Sequence, residues 1–176
     1  MFQRFGDTWQ NLHKDEKTQP ITEKKSTLDF VKELKKFEHV KYKNQIPDDY
    51  YTYYGFRDYW RFPTVFPYSI ICIDVLDYGH LYNDTETKDF KQGGSFSVQS
   101  DYFDEFTFDK NVIICKKCKT RFDADSVNVT GYFILEFSTG KTIQSTSLSE
   151  TYKKAKQLNY SGDTSFTSIK NYASKF

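Results

Sequence analysis

The chain has 176 residues, a formal net charge of +1 and a 19% share of aromatic side chains. That length suits one domain able to bury a core without staples. The near-neutral charge argues against a dedicated nucleic-acid binder, and no apolar run approaches the roughly 20 residues that span a bilayer. The charge is unevenly spread. Residues 1–47 carry a balance of +3, residues 48–110 of −7 and residues 111–176 of +5.

Residues 1–25 are polar and unpatterned apart from Phe2, Phe5, Trp9 and Leu12. They read as an N-terminal arm preceding one domain over 26–176. The N-terminus has no apolar leader segment, so a cytoplasmic location with reduced thiols is expected. Ser26 and Asp29 have capping-box spacing, and Phe30, Val31, Leu34 and Phe37 form one stripe. The spacing predicts an amphipathic helix over 27–38.

The next stretch, DDYYTYYGFRDYWRF at 48–62, holds eight aromatic residues in fifteen. Alternation puts rings on both sides, so some pack inward and others outward. Pro47, Pro63 and Pro67 exclude a long regular element here. YSIICIDVL at 68–76 is rich in β-branched residues and apolar on both faces, which predicts a central strand. Alternation places Asp74 on the same face as Cys72, where a carboxylate needs a partner such as Arg57 or Arg61.

Short strands are predicted at 95–99, 104–108, 111–116, 131–137 and 141–145. Asp109-Lys110 and Ser138-Thr139-Gly140 supply hairpin turns. Ser147 and Glu150 form a capping box for a helix at 148–158. The spacing of Phe166, Ile169, Tyr172 and Phe176 predicts a second short helix, with Ser165 as a candidate cap. The expected class is α+β: a mainly antiparallel sheet of five to six strands, one N-terminal helix and two short C-terminal helices.

Motifs for catalysis are sparse. Cys115-Lys-Lys-Cys118 is half of a zinc site; Cys72 sits in a predicted core strand, and His13, His39 and His80 lack ligand spacing. A redox role would draw on Lys116, Lys117 and Arg121 to lower the thiol pKa values, but no helix pattern follows the pair. There is no phosphate loop and no nucleophile-elbow sequence. A non-enzymatic protein with no metal and no cofactor is therefore expected.

What remains is binding. The residues with hot-spot composition are Asp48, Asp49, Tyr51, Tyr53, Tyr54, Asp58, Trp60 and Arg61 in the first aromatic segment, and Asp101, Tyr102, Asp104 and Glu105 in a second, DYFDEFTFD. Together they could form an acidic, aromatic surface. The expected function is an inhibitor, of the immunity type, that neutralises a basic toxin or nuclease. One alternative is a single-stranded nucleic-acid module using Lys116, Lys117, Lys119 and Arg121 beside nearby rings. A phage or virion structural protein and a small hydrolase centred on Asp74, His80 and the cysteines are the others.

Overall fold

A computed structural model describes residues 21–85, 96–98, 101–118 and 129–176. Most of the arm, residues 1–20, lies outside this set. Helix α1 spans Ile21–Lys35, starting ahead of the Ser26 cap read from the sequence. Among the described residues ten strands follow: β1 Gly55–Phe56, β2 Tyr59–Pro63, β3 Tyr68–Ile73, β4 His80–Asn83, β5 Phe96–Ser97, β6 Phe103–Phe108, β7 Val112–Lys117, β8 Gly131–Glu136, β9 Thr142–Ser145 and, after helix α2 at Leu148–Gln157, β10 Thr167–Ser168; helix α3 is Ile169–Ala173.

Among the described residues the α+β class holds, with one correction. There are two antiparallel sheets, β1-β2-β3-β4-β5 and β10-β6-β7-β8-β9, rather than one. The sequence reading omitted β1, β2, β4 and β10. Strand β2 hides behind its prolines: Pro63 is its last residue, paired only to Ser69 of β3, where a missing N–H costs least.

The sheets share a core. Phe62, Ile70, Cys72 and Leu81 of the first pack against Phe103, Phe106, Ile113, Cys115, Phe133 and Leu135 of the second. β3 lies at the centre of its sheet, as its two apolar faces require: Tyr68 through Cys72 are all buried. The second sheet's other face carries Val112, Ile114 and Ile134, covered by Ala155 of α2 and by Tyr160. Helix α2 begins as predicted, with the Ser147 side chain accepting from the Glu150 amide. Helix α3 starts later than expected, and its cap is Ser168, not Ser165.

Asp109 shapes the β6–β7 hairpin. Its carboxylate accepts from the amides of Asn111 and Val112 and, across the fold, from the Ser161 amide at 2.7 Å. Among the described residues no helix is long and apolar enough to cross a membrane.

Candidate functional site

Placement of the first aromatic segment begins with Arg61. It stands in β2 and is fully buried, paired at 2.7 Å with Asp84, itself fully buried. Its guanidinium donates to the carbonyls of Tyr50 and Tyr53 at 2.8 and 3.2 Å and lies 4.6 Å from the centre of the Tyr50 ring. These bonds draw the 50–53 segment against the sheet. Tyr51 goes inside with it, 4% exposed and edge-on to Tyr50. The outward role expected for Tyr51 and Arg61 is therefore corrected: the cation finds its carboxylate 23 positions along the chain, and the pair is sealed from water.

The remaining expected residues divide. Tyr54 packs its ring on Phe176 and donates its hydroxyl to the Tyr51 carbonyl. Trp60 is half-buried against the main core. Tyr53 and Asp49 are half-buried, while Asp48 and Asp58 are exposed. In the second segment, Glu105 pairs with Lys116 directly across β6 and β7, and Asp101 pairs with Lys117 at 2.9 Å. Cross-strand opposition in the first pair and the ion pair just ahead of β6 in the second cancel charge in place. They remove two carboxylates from the expected acidic surface. The same pairs occupy two of the four cations of the nucleic-acid alternative; Lys119 and Arg121 lie outside the described residues.

Asp74 is not on a covered face. The strand ends at Ile73, and Asp74 is exposed in the left-handed region with a φ of 66°, its amide donating to the Asp58 carbonyl. Cys115 lies in the inter-sheet core and Cys118 follows the end of β7. Residues three apart on an extended chain point to opposite sides, and no cluster of three metal-ligating side chains occurs among the described residues.

The thiols are not activated either. Burial pushes Cys115 up, Cys72 up to about 12 and Cys118 up to about 11. Lys116 and Lys117, expected to lower these values, are turned to their own carboxylates. All three thiols should react slowly with Ellman's reagent at neutral pH in the folded protein and rapidly once it is unfolded. The sign for stability follows. A thiol or phenol whose folded pKa is raised stays protonated in the fold while the unfolded chain ionises, so the unfolded state gains as pH rises. Tyr59, Tyr68 and Tyr160 are likewise pushed up to about 12. Stability should hold up to about pH 9 and fall steadily toward pH 12, measured as urea midpoints across that range.

The best candidate surface is the outer face of the first sheet. Phe56, Tyr59 and Ile73 are direct partners across β1, β2 and β3, so their side chains form one row. Phe56 is 68% and Ile73 55% exposed, with Tyr59 half-buried between them. By alternation His80 and Tyr82 of β4 share this face, both half-buried. The two sheets are sewn together beside them by paired backbone bonds between Gly79 and Phe103 at 2.9 and 3.1 Å. Only glycine fits there, since a Cβ would lie 2.7 Å from the Ile71 carbonyl oxygen. The seam carries Tyr102 onto His80, ring centres 3.8 Å apart, with Tyr78 edge-on to Tyr102 at 5.1 Å. An aromatic band thus runs from Phe56 to Tyr102, bordered by exposed Asp58 and Asp74.

Of the band, Tyr102 was expected at the binding surface, and His80 was singled out from the sequence only as part of the hydrolase alternative. The signal for Tyr59 was available in principle, because recognising β2 as a strand puts residue 59 opposite 73. No family model, curated protein or solved structure matches this chain.

Proposed function

We propose that this is a cytoplasmic protein-binding module of the inhibitor or immunity type, which docks on a basic partner such as a toxin or nuclease. The observation that carries the reading is the Phe56–Tyr59–Ile73 row, exposed at Phe56 and Ile73, on the uncovered part of the outer face of a sheet whose other face is core. Large apolar side chains with flanking tyrosines and a polar rim have the make-up of an interface centre. The edge itself is a poor template for strand addition. β1 is two residues long, begins with Gly55 at positive φ and is followed by the left-handed Arg57, a shape that blunts edge pairing. Recognition therefore falls to side chains.

The acidic contribution is narrower than composition implies. Asp101 and Glu105 are matched internally, leaving Asp48 and Asp58 as exposed carboxylates outside any ion pair among the described residues. Co-expression with the products of neighbouring genes, followed by pull-down at low and high salt, identifies the partner. Changing Phe56 and Ile73 together to serine should then weaken binding by about 30-fold or more, the effect of losing a hot spot. The urea midpoint should barely move, because both side chains are mostly in water. Unchanged affinity in a folded variant would rule out this face.

A further inference from the structure

The Phe56–Tyr59–Ile73 row has relief as well as direction. Phe56 and Ile73 project, 68% and 55% exposed, while Tyr59 between them is half-buried. Two ridges therefore stand on alternate strands with an aromatic side chain set lower between them. Neighbouring strands lie about 4.8 Å apart, so the ridges are roughly 9.6 Å apart. The next row along the same strands, Arg61 and Ile71, is buried. The open strip is thus one row deep, roughly 6.7 Å along the strand direction, and it crosses the strands.

These dimensions select the shape of an occupant. An added strand would run parallel to β1, along the blunted edge and not across the face. An α-helix is about 10–12 Å wide with its side chains, so it would ride up on the covered part of the sheet. A polyproline II segment is thinner. It has three residues per turn at about 3.1 Å each, so one of its sides recurs every 9.3 Å or so, which matches the spacing of the ridges. One turn laid along the row sets a proline ring beside Phe56 and the next beside Ile73, with Tyr59 beneath. Aromatic-lined surfaces take such segments because the helix is ordered before it binds. Beyond Ile73 the band continues with rings, the stacked pair His80 and Tyr102.

Charge adds a flank to the motif. Arg57 stands at the Phe56 end, its guanidinium 5.1 Å from the centre of that ring. At the other end Asp74 directly follows Ile73 and is exposed. A cation in the bound segment is repelled at the first end and attracted at the second.

We propose that this row receives a proline-rich, extended segment of the protein partner, with an arginine next to the prolines at the Ile73 end. This rests on the protein-binding reading above and names the segment that the surface recognises.

The full chain, labelled with ¹⁵N, is titrated with an N-acetylated hexaproline peptide ending in arginine amide. The comparison peptides carry alanine in place of every proline, or citrulline in place of the arginine. The first peptide should give saturable shifts at the amides of Phe56, Tyr59 and Ile73. The alanine peptide should bind at least about tenfold more weakly, since it loses the ring contacts and must be ordered on binding. The citrulline peptide should bind about twofold to fivefold more weakly, the effect of an exposed ion pair, and Asp74→Asn should remove that difference. Changing Phe56 and Ile73 together to serine should abolish binding in a chain whose spectrum stays dispersed. Leu28→Ser, at an exposed apolar residue of α1, should leave the affinity unchanged. Equal binding of the proline and alanine peptides, or shifts unaltered by the double serine change, would overturn the inference. If the peptides fail while a captured partner still depends on Phe56 and Ile73, only the proline assignment falls. If the proline peptide binds and no partner protein is recovered, the proline assignment stands and the inhibitor reading falls.

Discussion

Replacing Asp84 with alanine should destabilise the protein by about 3–5 kcal/mol, the cost of stranding one member of a buried ion pair. With a slope of about 2 kcal/mol per molar urea, the unfolding midpoint should drop by roughly 2 M. Arg61 and Asp84 are both without solvent exposure. Without Asp84 the guanidinium keeps the carbonyls of Tyr50 and Tyr53 and the face of Tyr50. Those are dipoles and a quadrupole, and they do not neutralise a desolvated cation. Changing both residues, Arg61→Met with Asp84→Leu, should recover much of the loss, because apolar groups of similar volume carry no desolvation penalty. A double variant as unstable as the single one would mean that the bonds to the 50–53 segment, not the charge, set the cost.

The second large effect is expected at Tyr172. Its ring is buried and meets Phe30 of α1, Phe106 and Phe108 of β6, and Phe176, with centroids 4.9–5.9 Å apart. Its hydroxyl donates to the Pro63 carbonyl at 2.7 Å, tying α3 to the end of β2. One side chain therefore touches both sheets and α1. Tyr172→Ala should cost about 3–5 kcal/mol, as large cavities in cores do. Tyr172→Phe keeps the ring and removes only the donor, so about 1–3 kcal/mol is expected from the buried carbonyl left behind. Chemical denaturation of the two variants separates packing from the hydrogen bond. Equal losses would place the whole effect in the hydroxyl.

The legible part of this fold was local. The β-branched run at 68–73 announces a central strand because such side chains pack well on a pleated surface and apolar faces on both sides need cover. The Ser147–Glu150 box announces α2 because the first amides of any helix need acceptors. The β6–β7 and β8–β9 hairpins follow from turn residues between short apolar runs. β2 was lost because its strand pattern lies inside an aromatic segment closed by proline, where alternation places rings on both sides and marks neither as core.

The sequence by itself determined the class, the hairpin order, most element boundaries after residue 100, and the presence of more aromatic side chains than one face could hide. Only the tertiary structure decided where each ring and charge went. Period-two alternation sorts side chains into two sets but does not say which set a second sheet will cover. A charged residue reads as surface until its partner is known, and the partner of Arg61 stands at 84, the partners of Glu105 and Asp101 at 116 and 117. Burial of an ion pair and cancellation across a strand pair are both consequences of register. Register is set by packing between segments far apart in the chain, and that is why Phe56 and Ile73 acquire their significance only once the sheets are assembled.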